Sequence, residues 1–574
     1  MRSAWRAGLA AAAVLLTACG NVPSSTPVRV VRRVPAENPE AVDEGPAFRR
    51  RLPPNPPAGA APPDIVSGFL FAHASNDGDY AIARKYLAPD ATWNAAAPVT
   101  VYSSTRIGRA AVRGDSATVA VTFDRVGTIT ADGEFQPPSR LTGSVSFRLR
   151  RVAGAGWRLT GAPPGVMIKR EDLPALYERL TLYYPSARTR LLVPHQVFLP
   201  ETNQPAAAAV RALLAGPRGW IAPSVRSAIP EGTELLDRPT VVDGVVTLNF
   251  SREIRRAPQE SVGALIAQLV WTLTEPSLAV DAVRIQVEGD VLSAPGRSGL
   301  REHRRTDWAE YDPLARPADD RLFFVRDATP YGLDSAGVVA RVAPLTAVES
   351  FAVNRAGTWV AAVVRDGSRR ALVLYDLAGT SPFRRVLVSD RITQPTWEGD
   401  TAWAAAFSGG VAQVVAVPAS GSAAAVGAAS LPAGEVTALR LSPDGARVAA
   451  LVAGRLWVAR VERTGTGAPL LAEPRALVPS VTGVSAVTFD GAGQLVVAGF
   501  ADGLRTFVRL DVDGVVLSTL RVQGLPNAPV EYLASSPAIP PDRVVSVRGR
   551  MWRRTPGADW APIAGSGTAA TYAG

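Results

Sequence analysis

The sequence predicts a multidomain chain in which an α+β N-terminal region is followed by an all-β propeller. Three observations predict it. At 574 residues the chain exceeds what one hydrophobic core organises. Helix-period apolar runs give way to alternating ones twice before residue 295. Beyond residue 318 one short motif returns about every 43 to 48 residues. Composition agrees: 47% hydrophobic and 20% charged residues suit globular domains, while 50 Gly and 48 Pro require many turns.

The first element, residues 1–18, is an export signal. Arg2 and Arg6 precede an apolar run from Ala7 to Leu16 that is too short to span a bilayer. It ends in Leu16-Thr17-Ala18-Cys19-Gly20, which resembles a lipobox, with a small residue before the cut and a thiol that accepts diacylglycerol. Cys19 is the single Cys of the chain, so intramolecular disulfides are excluded and the thiol is spent on lipid. S-diacylglyceryl and N-acyl (palmitate-type) chains on Cys19 would supply multi-chain anchoring at about 0.8 kcal/mol per buried methylene. No later run reaches about 18 uninterrupted apolar residues. The expected location is therefore the extracytoplasmic face of the cell membrane, with the covalent lipid as anchor and no other cofactor.

Residues 19–63 form a spacer, since eleven prolines between Gly20 and Pro63 prevent a packed core. Residues 64–171 begin with Asp64 as a helix cap before Ile65, Val66, Phe69 and Leu70, and a second helix is expected from Asp79 to Leu87. Strands follow in which Val119, Val121 and Phe123, then Leu141, Val145, Phe147 and Leu149, alternate with polar or small residues, and Trp157-Arg158-Leu159 closes the sheet. This outline resembles NTF2-like cones. Tyr80, Tyr86 and Tyr102 are the residues a catalytic cup would use, and they read as core or rim.

Residues 172–295 open with the strand Leu180 to Pro185, then a helix from Ala206 to Leu214 stopped by Ala215-Gly216-Pro217. Asp243-Gly244 is a hairpin turn that puts Val246, Leu248 and Phe250 on a buried face, before a helix from Ser261 to Leu273 and a strand from Val283 to Gly289. Together with Ala228-Ile229-Pro230-Glu231-Gly232, this order resembles the GerMN domain, which implies a non-enzymatic interaction module. Residues 296–317 are expected to be a linker.

From 318 to 565 the motif reads Phe351 to Gly357, Pro395 to Asp400, Leu439 to Gly445, Val487 to Gly493 and, more weakly, Tyr532 to Ser536. A polar turn is followed by short apolar strands, which is the period of a propeller blade; the blade number stays open between five and seven. The Asp-Gly pairs supply one carboxylate per turn, too few for calcium, and read as hairpin chemistry. Residues 566–574 are expected to be a frayed tail.

Net charge is +10, and all basic residues but Lys85 and Lys169 are Arg. The Arg pairs are scattered without interleaved aromatics, which argues against nucleic acid and leaves contact with anionic lipid or wall polymer open. His73, His195 and His303 fall in separate regions, giving no metal cluster. No nucleophile elbow, P-loop or dinucleotide motif occurs, so no catalytic residue is assigned and the chain is expected not to be an enzyme. From lipobox to propeller, the layout is similar to the LpqB lipoproteins of high-GC Gram-positive bacteria. The resemblance implies a modulator of a sensor kinase and its regulator, MtrB and MtrA, acting through the kinase's external domain on envelope and division. A surface hydrolase or a receptor for cell-wall material is the alternative.

Overall fold

A helix from Pro62 to Ala72 opens the folded part because Pro brings no N–H to a first turn whose N–H donors have no intrahelical acceptors, and it buries Ile65, Val66, Phe69, Leu70 and Ala72. The computed structural model describes residues 53–574 apart from 298, 315, 380–382, 421–423, 426–430, 464–466, 478–480, 521, 556, 558, 564 and 566. Asp64 does not cap this helix as expected; it lies in the first turn, where a carboxylate still favours the positive helix end. The second helix is Asp77–Arg84, earlier than the expected span, with Gly78, Asp79 and Tyr80 in left-handed conformations within it. A mainly antiparallel sheet follows in the order Gly156–Gly161, Thr142–Val152, Ser116–Ile129, Val99–Ile107, Met167–Lys169. Ala117, Val119, Val121 and Phe123 are buried in strict alternation, and Val119 pairs Phe147 across the ladder. Leu141 departs from the expected pattern, being 59% exposed just before its strand begins.

The next domain starts with the hairpin Tyr177–Pro185 and Leu192–Pro200. Helix Pro205–Leu214 ends before Gly216, whose φ of 76° is the left-handed turn expected there. Thr240–Val242, Val245–Phe250, Ala282–Val287 and Asp290–Val291 form a second sheet, whose central pair is parallel. A parallel pair needs a crossover, and helix Val262–Leu273 provides it. Asp243 and Gly244 both have positive φ, 49° and 75°, as the tight hairpin requires, and Val246, Leu248 and Phe250 are fully buried. The stretch read as a linker is instead largely part of this domain. His303 pairs with Val283, a 3-10 turn spans Arg305–Tyr311, and Trp308 is buried in the core.

Among the described residues, six sheets of four or five strands make up the C-terminal half. In blades two to six the first strands are Val348–Val353, Thr396–Glu398, Val436–Leu441, Thr482–Phe489 and Tyr532–Ser535. Blade one is Leu322–Arg326, Thr329–Leu333 and Val339–Arg341, and its first position is taken by Thr568–Thr571. These six first strands touch one another in a closed circuit around the axis. The expected tail at 566–574 is thus corrected: Ala569 and Ala570 are wholly buried in the strand that shuts the ring. All five repeated motifs fall at one place, the end of a first strand and the turn after it.

Candidate functional site

That placement sends the motif turns to one face of the ring, and the GerMN-like domain sits on it. Ser186 Oγ donates to Asp444 O (2.9 Å), Arg447 Nη2 to Pro194 O (2.6 Å) and Trp220 Nε1 to Glu473 O (2.8 Å). Beneath these bonds one apolar cluster runs without a break from Val246, Leu248 and Leu269 into Leu451, Val458, Val487 and Leu510 of blades four and five. The two domains therefore share one continuous apolar core. The N-terminal domain joins at a polar hub: Glu134, 5% exposed, accepts from Arg475 Nη1 (2.6 Å) and from the Trp220 backbone N–H (3.0 Å). Gly219 makes room for that carboxylate, since a Cβ there would lie 2.4 Å from Oε2.

Where the GerMN-like domain meets the propeller axis, the two flank a partly open cavity of about 600 Å³. Tyr183, Gln196, Trp271 and Arg305 border it from above, and Trp397, Arg440, Phe489 and Asp490 from the ring. Asp312, Pro313, Leu314 and Pro317 of the connecting segment also line it. Its carboxylates are largely occupied. Glu275 accepts from Arg305 (2.5 Å) and Tyr183 Oη (2.9 Å), and Asp490 accepts from Arg543 (2.6 Å) and Ser535. Asp312 caps the Leu314 N–H at 2.8 Å. Arg440 is different. Its guanidinium donates to Gln394 Oε1 and to the main-chain oxygens of Leu439 (3.0 Å) and Gln394 (3.4 Å), all neutral. Burial pulls its pKa down to about 10, which leaves it charged at neutral pH.

The residues singled out by sequence do not gather here. Leu16, Thr17, Ala18 and Cys19 lie outside the described residues. His73 stacks on Trp93 in the N-terminal core, His195 is buried at the interface near Arg447 and Arg475, and His303 packs against Trp308. Burial drives both His73 and His195 down to about 3, so both are neutral. Tyr86 is fully buried and donates to Pro54 O (3.0 Å); Tyr80 and Tyr102 also pack into the N-terminal core. The turn reading of the Asp-Gly pairs fits Asp444, which accepts from Ser442 Oγ (2.6 Å) and the Ala446 N–H (2.8 Å). Arg440 and Glu134 were missed by sequence reasoning because their partners come from other repeats or other domains. Among the described residues no group of potential ligands could hold a metal ion, and no helix is long and apolar enough to cross a membrane.

Fold and site together define a class: a six-bladed propeller fused through a common core to a GerMN-type module, with a helix-and-sheet domain in front. Three family models match in that order: the LpqB N-terminal domain over residues 55–174, the sporulation and spore germination (Germane) domain over 181–293, and the LpqB β-propeller domain over 334–571. Lipoprotein LpqB of Streptomyces avermitilis is 27% identical over 98% of this chain and 97% of its own length. LpqB of Cutibacterium acnes is 32% identical over 55% of this chain, and the matched part spans 52% of that protein. The crystal structure of TolB from Acinetobacter baumannii is similar over 56% of this chain and 86% of its own, with 14% identity and a TM-score of 0.35. The chain belongs to the LpqB family of lipoproteins.

Proposed function

We propose that this lipoprotein is an interaction module, held on the extracytoplasmic face of the membrane by the lipid on Cys19, that biases a two-component sensor kinase and through it envelope and division. The observation that carries the reading is the core shared by the GerMN-type module and blades four and five. Packing of the two domains on one apolar core favours a fixed surface, and a fixed surface can favour one conformation of a partner over another. Only the difference in affinity between the two kinase states shifts their populations. Anchoring both proteins in one membrane raises their effective concentration, so a micromolar contact would be occupied. The non-enzymatic reading is supported by the cavity carboxylates, which are engaged by Arg305 and Arg543 rather than poised as an acid and base.

The test reconstitutes the lipidated chain with the kinase in one bilayer and measures autophosphorylation and cross-linking. Saturable cross-linking with altered phosphorylation, lost when Cys19→Ser releases the protein from the membrane, supports the reading. Unchanged kinase activity with no cross-link overturns it. Turnover of wall glycans or peptides by the same preparation would replace it with a hydrolase.

A further inference from the structure

Four guanidiniums border the axial cavity: Arg305, Arg355, Arg440 and Arg509. Their compensation is uneven. Arg305 is paired with Glu275, and Arg355 lies in the field of Asp444 and Asp312 while its Nη2 bonds Pro443 O at 3.2 Å. Arg440 and Arg509 have no carboxylate partner among the described residues. The Arg509 Nε is buried with no hydrogen-bond acceptor, and the acceptors of Arg440 are neutral carbonyls. Gly574 also borders the cavity, and its N–H donates to Val353 O at 3.1 Å.

A carbonyl oxygen solvates a guanidinium without neutralising it, and removing such a charge from bulk water is costly unless an anion compensates. Arg440 is moreover held in place. Gln394, its partner, donates Nε2 to Ala569 O (3.1 Å) and Phe351 O (3.3 Å), tying it to the first strands of blades one and two. Pre-positioned guanidiniums of this kind fit oxyanions, because the planar fork matches two oxygens of a carboxylate or phosphate. Trp397 and Phe489 supply an apolar wall in the same cavity. The volume, about 600 Å³, is that of a small-molecule site and too small for a folded partner.

We propose that this cavity binds a small organic dianion, a phosphate monoester or a dicarboxylate, whose charges are received by Arg440 and Arg509 and whose carbon skeleton lies against Trp397 and Phe489. The count of uncompensated guanidiniums sets the charge, and the walls set the size. Tyr183, Gln196 and Arg305 of the GerMN-type module line the same cavity, so the site lies at the joint of the two domains. This site is independent of the kinase reading: it stands or falls on ligand binding alone.

The experiment is calorimetric titration of the full lipidated chain in detergent with glycerol 3-phosphate, succinate and, as a neutral control, glycerol. Saturable heat with at least one dianion, weakened by added salt and absent with glycerol, is expected. Response to the phosphate ester alone or to succinate alone identifies the source of the oxyanion, and either supports the site. Arg509→Gln, which removes a charge without breaking an ion pair, should weaken binding at least about tenfold, the loss of one charged hydrogen bond. Arg440→Lys keeps the charge, loses the fork and should fall between. Arg369→Gln, on an exposed ion pair with Asp390 away from the cavity, should bind as the parent does. No heat with either dianion at millimolar concentration overturns the proposal, as does parental affinity in both the Arg509→Gln and Arg440→Lys chains.

Discussion

Blades two to six and blade one have the same inner-to-outer order of strands, yet the chain builds them by different routes. In blade five, Thr482–Phe489, Gln494–Ala501, Leu504–Asp511 and Val516–Leu520 follow one another and pair in that sequence. In blade one, three consecutive strands wait for Thr568–Thr571, which pairs Thr571 with Phe323 and Thr568 with Val325. The first route pairs neighbours; the second closes a loop through the whole ring. Short connections cost little entropy and leave a visible period in the sequence, whereas a ring closure is set by geometry and leaves none. The contrast extends to the domain joints, where Glu134 meets Arg475 and Pro194 meets Arg447 across hundreds of residues.

The largest expected effect comes from breaking the closure. Ending the chain at Gly567 removes only the closing strand and the residues after it, but it strips Leu322–Arg326 of its inner partner and leaves Gln394 without the Ala569 carbonyl. An unpaired, buried edge is a template for aggregation. Loss of a cooperative melt, with oligomers by size-exclusion chromatography, is the expected result; a monomer melting as the parent does would mean that blade one stands without its closure.

A consecutive joint should be costly but not fatal. Arg543 and Asp490 join blades six and five as a buried pair, with side chains 6% and 1% exposed. Arg543→Ala leaves the Asp490 carboxylate buried and unpaired, and a loss of about 3–5 kcal/mol is expected from urea midpoints. Arg543→Met with Asp490→Leu removes both charges and should recover most of that loss. Equal losses in the single and double variants would show that shape, not charge, holds the two blades together.

How much was legible in the sequence follows the same division. The five motifs, the Asp243-Gly244 turn and the alternation through Val119, Val121 and Phe123 are all patterns between near neighbours, and each stands where the period places it. Thr568–Thr571 was misread because Ala569 and Ala570 carry little β signal, and the sequence flanking them, rich in small residues, resembles a loose end. The linker reading failed similarly: Trp308 and Tyr311 stand among charged residues with no periodic apolar pattern, until packing against the GerMN-type core buries Trp308. The cavity could not be read at all. Arg440 is one polar position in a short strand, flanked by Leu439 and Leu441, and only the fold brings it to one cavity with Arg509 and the GerMN-type module.

The polar hub offers a smaller break in a long-range contact. Glu134→Gln replaces one oxygen by an amide that cannot accept from both Arg475 and the Trp220 N–H, at a cost of about 2–3 kcal/mol. The loss should be local. Tryptic cleavage after the half-buried Lys169 or the exposed Arg170 should release the N-terminal domain faster, while the shared core keeps the rest of the chain resistant. Uniformly faster digestion would show that the hub supports the whole molecule.

The smallest effect is invisible at neutral pH and grows as pH falls. His195 sits where the GerMN-type module meets blades four and five, and burial together with Arg447 and Arg475 holds its pKa down at about 3. In the unfolded chain an imidazole takes up its proton near pH 6.5. Below that pH the unfolded state therefore binds a proton that the folded state refuses. The stability contributed by the neutral, buried ring is complete above about pH 6.5 and drains away as pH falls toward 3, at about 1.4 kcal/mol per pH unit. His73 has the same sign but belongs to the N-terminal core, where it stacks on Trp93 and accepts the Met167 N–H. His195→Gln cannot titrate, so the stability gap between parent and variant should narrow by about 2 kcal/mol from pH 7.5 to pH 5, measured by urea midpoints. A gap that stays constant over that range would mean that His195 is free to protonate in the folded protein, and that the joint between module and ring opens far more readily than a shared core allows.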